Sequence, residues 1–183
     1  MPTINKIWAL PKGDSMEILE TSAMTGGART RVRLVFKPGG SSVPMHRHLL
    51  QDEKYEVLSG TMAYWLDGKK CHAEAGTTIT LPRGVLHQHY SEGPEDVISI
   101  QTMTPALDFD YVVENLFGLG SEGRGVKPID ALLQGLVWIR KAKGPFYLAI
   151  PIWVQRVLAF IITPIAYRLG YRTVYKRFSG EEW

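Results

Sequence analysis

Apolar and polar residues alternate along the first hundred positions and change to helical spacing after Pro105. The alternation is clearest in 28–40, where Arg29, Arg31 and Arg33 fall on one face and Val32, Leu34 and Phe36 on the other. This predicts a half-buried strand ending at a Pro-Gly-Gly turn. Shorter runs at 54–59, 61–66, 69–73, 77–81, 86–91 and 97–103 are separated by glycine, proline and aspartate. The Asp67-Gly68 pair lies between two of them and predicts a two-residue hairpin, since both residues tolerate positive φ. Many short, turn-bounded strands predict a sandwich or a closed barrel with a lined interior. Residues 1–28 read as an irregular lead-in broken by Pro2, Pro11, Gly13 and Gly26-Gly27, with one short strand near 16–20.

Beyond Pro105, Leu107, Tyr111, Val112, Leu116 and Phe117 recur at helical spacing, and the glycines of 118–125 predict a break. Pro128 opens a second helix with an apolar stripe of Ile129, Leu132, Leu133, Leu136 and Val137. Arg140, Lys141 and Lys143 before Gly144-Pro145 predict its end. The chain thus divides into a lead-in (1–28), a β-barrel (29–106) and a helical extension (107–183).

The stretch 146–167 is long enough to span a bilayer. Its eleven Ile, Leu, Val and Phe residues favour insertion by roughly 3–7 kcal/mol in total. Arg156 near the middle opposes this by about 2.5–3.5 kcal/mol, and Gln155, Pro151 and Pro164 add to the opposition. A sum near zero favours a helix lying on a membrane surface over a spanning one. Gln155, Arg156 and Thr163 fall near one side, as an interfacial helix requires. Trp138, Tyr147, Trp153, Tyr167, Tyr171 and Tyr175 flank the stretch, and Arg168, Arg172, Lys176 and Arg177 follow it, a pairing of rings and cations that suits anionic head groups. The competing expectation is a tail packed on the barrel or on a second subunit.

Charge sharpens this division. The net charge is +3; residues 1–130 carry 13 Lys/Arg and 16 Asp/Glu, whereas 131–183 carry 8 and 2. A basic extension implies an anionic neighbour. Its cations are interleaved with bulky aliphatic residues and form no groove-reading motif, so no nucleic-acid partner is expected. The single cysteine, Cys71, excludes an internal disulfide and suits a reducing compartment. Residues 1–20 contain no continuous apolar run, so the expected location is cytoplasmic, peripheral at the membrane.

Candidate chemistry gathers in 40–60, where His46, His48 and Glu53 lie within eight positions. On a strand His46 and His48 share one face, and two imidazoles with a carboxylate suit one divalent transition metal. His87 follows a Pro-x-Gly turn and supplies a fourth donor. Tyr55 and Val57 share Glu53's face as cavity wall, and alternation sends Glu56 to the other. His89 shares His87's face, either lining the cavity or acting as an orienting group or acid–base residue. The three arginines of 28–40 read as a solvated outer face, with an inward clamp for an anion as the alternative. Cys71 and His72 are assigned no chemistry.

These residues carry a resemblance. Gly40, five residues, His46-x-His48, four residues, Glu53, six residues and Gly60 resemble the first motif of the cupin superfamily; Gly76, five residues, Pro82-x-Gly84, two residues and His87 resemble the second. Ser91 stands where that family usually has asparagine. The resemblance implies a mainly β fold, a double-stranded β-helix (jelly-roll) barrel, carrying here an α-helical tail. It implies a metal at His46, His48, Glu53 and His87, with iron favoured over manganese, nickel and zinc, and a homodimer. The expected function is dioxygenase-like oxidation of a small apolar molecule. A ligand-binding cupin with a structural metal, or a metal-dependent isomerase or lyase, is the alternative.

Overall fold

Two antiparallel sheets account for the alternating half of the chain. The computed structural model describes all residues except 41–42, 125–127, 142–145, 148–149 and 183, and the side chain of Tyr147 is also outside the described set. With strands numbered along the chain, the six-stranded sheet runs β1 (Ile7–Ala9), β2 (Ser15–Glu20), β3 (Thr30–Phe36), β10 (Val97–Thr104), β5 (Asp52–Ser59), β8 (Thr78–Leu81). The five-stranded sheet runs β11 (Phe146–Tyr147), β4 (His46–Arg47), β9 (His87–Ser91), β6 (Thr61–Leu66), β7 (Lys69–Glu74). Strands distant in sequence are neighbours, as in a jelly roll. Inward side chains of both sheets, among them Ile18, Val32, Leu34, Tyr55, Met62, Ala73, Leu81 and Val97, share one core. Asp67 and Gly68 both adopt positive φ between β6 and β7, as the hairpin reading required.

The lead-in is more regular than its sequence suggested. β2 pairs with β3 and β1 with β2, so 1–28 widens the six-stranded sheet. Met16 and Ile18 sit opposite Leu34 and Val32 and are buried. A strand of three residues such as β1 has too few positions to show an alternation; pairing with β2 supplies its order.

Among the described residues four helices follow: α1 (Phe109–Ser121), α2 (Pro128–Lys141), α3 (Ile152–Arg168) and α4 (Lys176–Ser179). α1 runs through Gly118 and Gly120 and ends at Ser121, inside the stretch expected to break it. A Cβ on Gly118 would lie 2.7 Å from the Phe178 ring, and one on Gly120 would lie 2.4 Å from Leu10 Cδ2. These glycines admit close neighbours, which offsets a helix-propensity penalty of about 1 kcal/mol each. The stripe expected on α2 is only half used: Leu136 and Val137 are buried, but Ile129 and Leu132 are exposed. The stop read at 142–145 lies outside the described residues.

The 146–167 stretch is not one helix. Phe146–Tyr147 forms β11 beside β4, and α3 begins after Pro151. Seventeen residues at about 1.5 Å each give about 26 Å, short of the roughly 30 Å hydrocarbon core. Among the described residues no helix is long and apolar enough to cross a membrane. The inner face of α3 is Gln155, Ala159, Thr163 and Ala166, so the side read as solvent-facing packs inward instead, and Arg156 stands exposed at its flank. Small side chains let α3 approach α2 closely, where Thr163 Oγ1 donates to the Leu136 carbonyl at 3.5 Å.

Hydrogen bonds tie the tail down. Asn115 Oδ1 accepts from Tyr175 N–H at 2.7 Å, while its Nδ2 donates to Ser179 Oγ at 2.9 Å. Buried Glu114 accepts from Thr3 N–H at 2.9 Å and from Ser179 Oγ at 2.6 Å, joining both ends of the chain to α1. Trp138 Nε1 donates to the Thr173 carbonyl at 3.0 Å. Two of the cations read as membrane contacts are engaged in ion pairs, Arg172 with Glu182 at 3.2 Å and Arg177 with Glu122 at 2.9 Å.

Candidate metal centre

The four expected donors converge from both sheets. His46 on β4 pairs in register with His87, the first residue of β9, and His48 follows one residue beyond β4. Glu53 reaches them from β5, where it is paired with Met103 of β10 and Leu81 of β8. All four side chains are buried. One donor atom from each lies within 4.8 Å of every other. Bonds of about 2.0–2.2 Å put donors roughly 3–4 Å apart around one ion, so a small contraction suffices.

Hydrogen bonds at the back of the rings set their tautomers. His46 Nδ1 is 2.8 Å from the Pro44 carbonyl and His87 Nδ1 is 2.9 Å from the Val85 carbonyl. A carbonyl only accepts, so both Nδ1 atoms carry the proton and both Nε2 atoms present lone pairs. His87 Nε2 stands 3.0 Å from Glu53 Oε2, but the two are not aligned as a hydrogen bond. Both atoms are buried and, among the described residues, have no hydrogen-bond partner; His48 Nε2 lies 3.9 Å from Glu53 Oε2. Buried polar atoms are rarely left so, and a cation between them would satisfy the lone pairs. The donor set fits a divalent transition metal on chemistry and on spacing.

Burial depresses His46 to about 3 and lowers His48 as well, so the rings stay neutral and able to ligate. Burial alone pushes the Glu53 carboxyl up, yet the group is held well below the usual range and is ionised.

Glu53 is itself oriented. Its Oε1 accepts from Tyr55 Oη at 2.6 Å and from Gln101 Nε2, which turns Oε2 toward the histidines. His89 Nε2 is 2.9 Å from the Tyr55 oxygen. The tyrosine has one proton and the carboxylate can only accept, so that proton goes to Glu53 and His89 Nε2–H donates to the tyrosine oxygen. His89 therefore lies behind Tyr55, two steps from the candidate donors, and burial depresses it to about 4. Tyr55, read as cavity wall, is also a hydrogen-bond donor to the candidate ligand Glu53. Gln101 was missed. Its signal was a polar residue at an inward position of β10, the same parity as Val97 and Met103.

The remaining candidates lie elsewhere. Glu56 faces outward, and the three arginines form an acidic–basic ladder there: Arg29 with Glu20 at 2.7 Å, Arg31 with Glu20 and Glu56, and Arg33 with Glu17. This is the outer face, not an anion clamp. His72 pairs with Glu92 on the surface at 2.7 Å. Ser91 ends β9 and donates to the Glu95 carbonyl at 3.4 Å.

Residues 32–101 match the family model described as the cupin domain. The barrel is a cupin domain. Within the curated proteins, a gentisate 1,2-dioxygenase from Ralstonia sp is 30% identical over 90 residues, 49% of this chain and 24% of that protein. The chain thus spans about a quarter of the length of the curated relative it matches. Among solved structures, KdgF from Halomonas sp. aligns with a TM-score of 0.50 at 20% identity, covering 60% of this chain and 96% of its own, a likeness of fold. A predicted oxalate decarboxylase from Thermotoga maritima aligns with a TM-score of 0.47 at 28% identity, covering 50% and 80%. In this domain the expected donors come together, and the α2–α3 pair is an addition beyond the matched segment.

Proposed function

We propose that this cupin is a metal-dependent oxygenase acting on a small, fairly apolar molecule. The observation that carries the metal reading is the pair of buried, unpartnered donor atoms Glu53 Oε2 and His87 Nε2, beside the freed Nε2 of His46 and with His48 Nε2 3.9 Å from the carboxylate. The partial likeness to a gentisate dioxygenase supports oxygen chemistry over other cupin chemistries. His46, His48, Glu53 and His87 would hold one divalent ion, iron before manganese, nickel or zinc. Such an ion, when bound, supplies open positions at which an organic substrate and dioxygen are brought together.

The chain's own residues supply orientation and a dry wall. Tyr55 and Gln101 keep the Glu53 carboxylate turned toward the donors. The backbone carbonyls of Pro44 and Val85 keep His46 and His87 in the ligating tautomer. Leu81 and Met103, the strand neighbours of Glu53, set buried apolar surface beside the site, which strengthens every charge interaction inside. His89 holds a proton at Nε2 against the tyrosine oxygen.

A second reading has one observation in its favour. Glu53 and His87 are each only 1% exposed, and closed sites suit a structural metal. On that reading the domain binds a ligand without changing it. Metal content of protein purified without chelator, beside His46→Ala/His48→Ala, followed by oxygen uptake with gentisate and then less polar aromatics, separates the two. Stoichiometric iron, lost in the variant, with substrate-dependent oxygen consumption is the expected result. Bound metal with no uptake and unchanged ligand would favour the binding domain, and turnover without oxygen would point to an isomerase or lyase.

A further inference from the structure

Helix α3 is amphipathic in the inverted sense. Its most buried residues, Gln155, Ala159, Thr163 and Ala166, are small or polar; Ile152, Leu158 and Ile162 pack in part against the α2 cluster, and a second set of large apolar residues faces outward. Trp153 is 70% and Phe160 68% exposed, and Val157, Ile161, Ile165 and Leu169 are each about half exposed or more. Isolated exposed apolar residues are ordinary, but a contiguous face of them on one helix marks an interaction surface.

Charge identifies the occupant. Arg156 and Arg168 on α3 and Arg140 and Lys141 on the end of α2 are all exposed. Arg140 donates to the Phe160 carbonyl at 2.7 Å and stacks on its ring at 4.8 Å, which sets a cation at the border of the apolar face. Residues 131–180 contain no aspartate or glutamate. In a two-fold dimer the same patch meets itself, so these cations would oppose one another with no carboxylate between them. An anionic bilayer offers both the apolar boundary and the opposite charge. We propose that the outward face of α3 docks flat on an anionic lipid surface, with Trp153, Phe160 and Ile161 in the head-group–acyl boundary and Arg140, Arg156 and Arg168 on the lipid phosphates.

The docking geometry reaches the barrel. β11 pairs with β4, which carries His46, and Leu49 packs against the apolar cluster of Leu136, Ile139, Phe146 and Ala159 between α2 and α3. A docked α3 sets the β11–β4 end of the sheet that carries His46 and His87 one helix layer from the bilayer, where lipid-soluble molecules are concentrated.

The full-length protein is sedimented with vesicles of phosphatidylcholine alone and of phosphatidylcholine with phosphatidylglycerol, at low and high salt. Ile161→Ser/Ile165→Ser and Arg156→Gln/Arg168→Gln are measured in parallel, with circular dichroism to verify folding. Sedimentation with the anionic vesicles only, reduced by salt and lowered by about tenfold or more in each variant, is the expected outcome. Three results overturn the proposal. The wild-type protein stays in the supernatant with both vesicles; it binds both equally; or light scattering finds a dimer that the serine variant turns into a monomer, which makes a second copy the occupant. None of these readouts depends on the metal or on turnover.

Discussion

Replacing Tyr55 with phenylalanine removes one oxygen from the centre of the barrel and leaves the ring in place. The side chain is fully buried and donates to Glu53 Oε1 at 2.6 Å while receiving His89 Nε2–H at 2.9 Å. A hydrogen bond to a charged group is worth about 1.5–3 kcal/mol, so the metal-free variant is expected to lose about that much stability. His89 Nε2 is also left without its acceptor. The effect on the metal follows from orientation. With only Gln101 on Oε1, the Glu53 carboxylate is free to rotate, and its Oε2 no longer points steadily at the three histidines. Outer partners of ligands typically contribute about 10–100-fold to metal affinity. Competition against a chelator-buffered divalent metal series measures that ratio, and urea denaturation of the metal-free protein measures the stability. An affinity within twofold of wild type, in a variant of unchanged circular dichroism, would refute the reasoning and return Tyr55 to the role of cavity wall.

His89→Gln is expected to retain one metal per chain, because His89 lies outside the donor cluster, while lowering turnover; elemental analysis beside oxygen uptake checks both halves. Gly118→Ala places a Cβ 2.7 Å from the Phe178 ring and is expected to destabilise by about 1–3 kcal/mol through overpacking, read as a lower thermal midpoint. The metal-free protein should also be acid-sensitive. His46 and His89 titrate near 3 and 4 when folded and near the usual 6.5 when unfolded, so between these values the unfolded chain binds more protons. Stability is then level above about pH 6.5 and falls on acidification by about 1.4 kcal/mol per pH unit for each histidine. Urea midpoints equal at pH 7.5 and pH 5 would contradict this sign.

Much of the site was legible because its information is local. His46, His48, Glu53 and His87 sit in short, turn-bounded segments whose period-two alternation assigns each side chain to a face. The same alternation placed Glu56 and the arginines outside and His89 inside. Gln101 escaped because it acts from a different strand: the register of β10 against β5 brings it opposite Tyr55, and no spacing in the chain encodes that pairing.

By itself the sequence determined the β character of 29–106, the hairpin at Asp67-Gly68, the inward faces and the ligand types, all consequences of backbone period and turn chemistry. Tertiary structure decided the rest. Glycine lowers helix propensity, yet α1 passes through Gly118 and Gly120 because Phe178 and Leu10 need the space they leave. Amphipathic period locates two faces of α3 but not which one turns inward, and α2 selected the face with small side chains. Periodicity is a property of one segment, whereas close packing, register and burial exist only between segments distant in sequence.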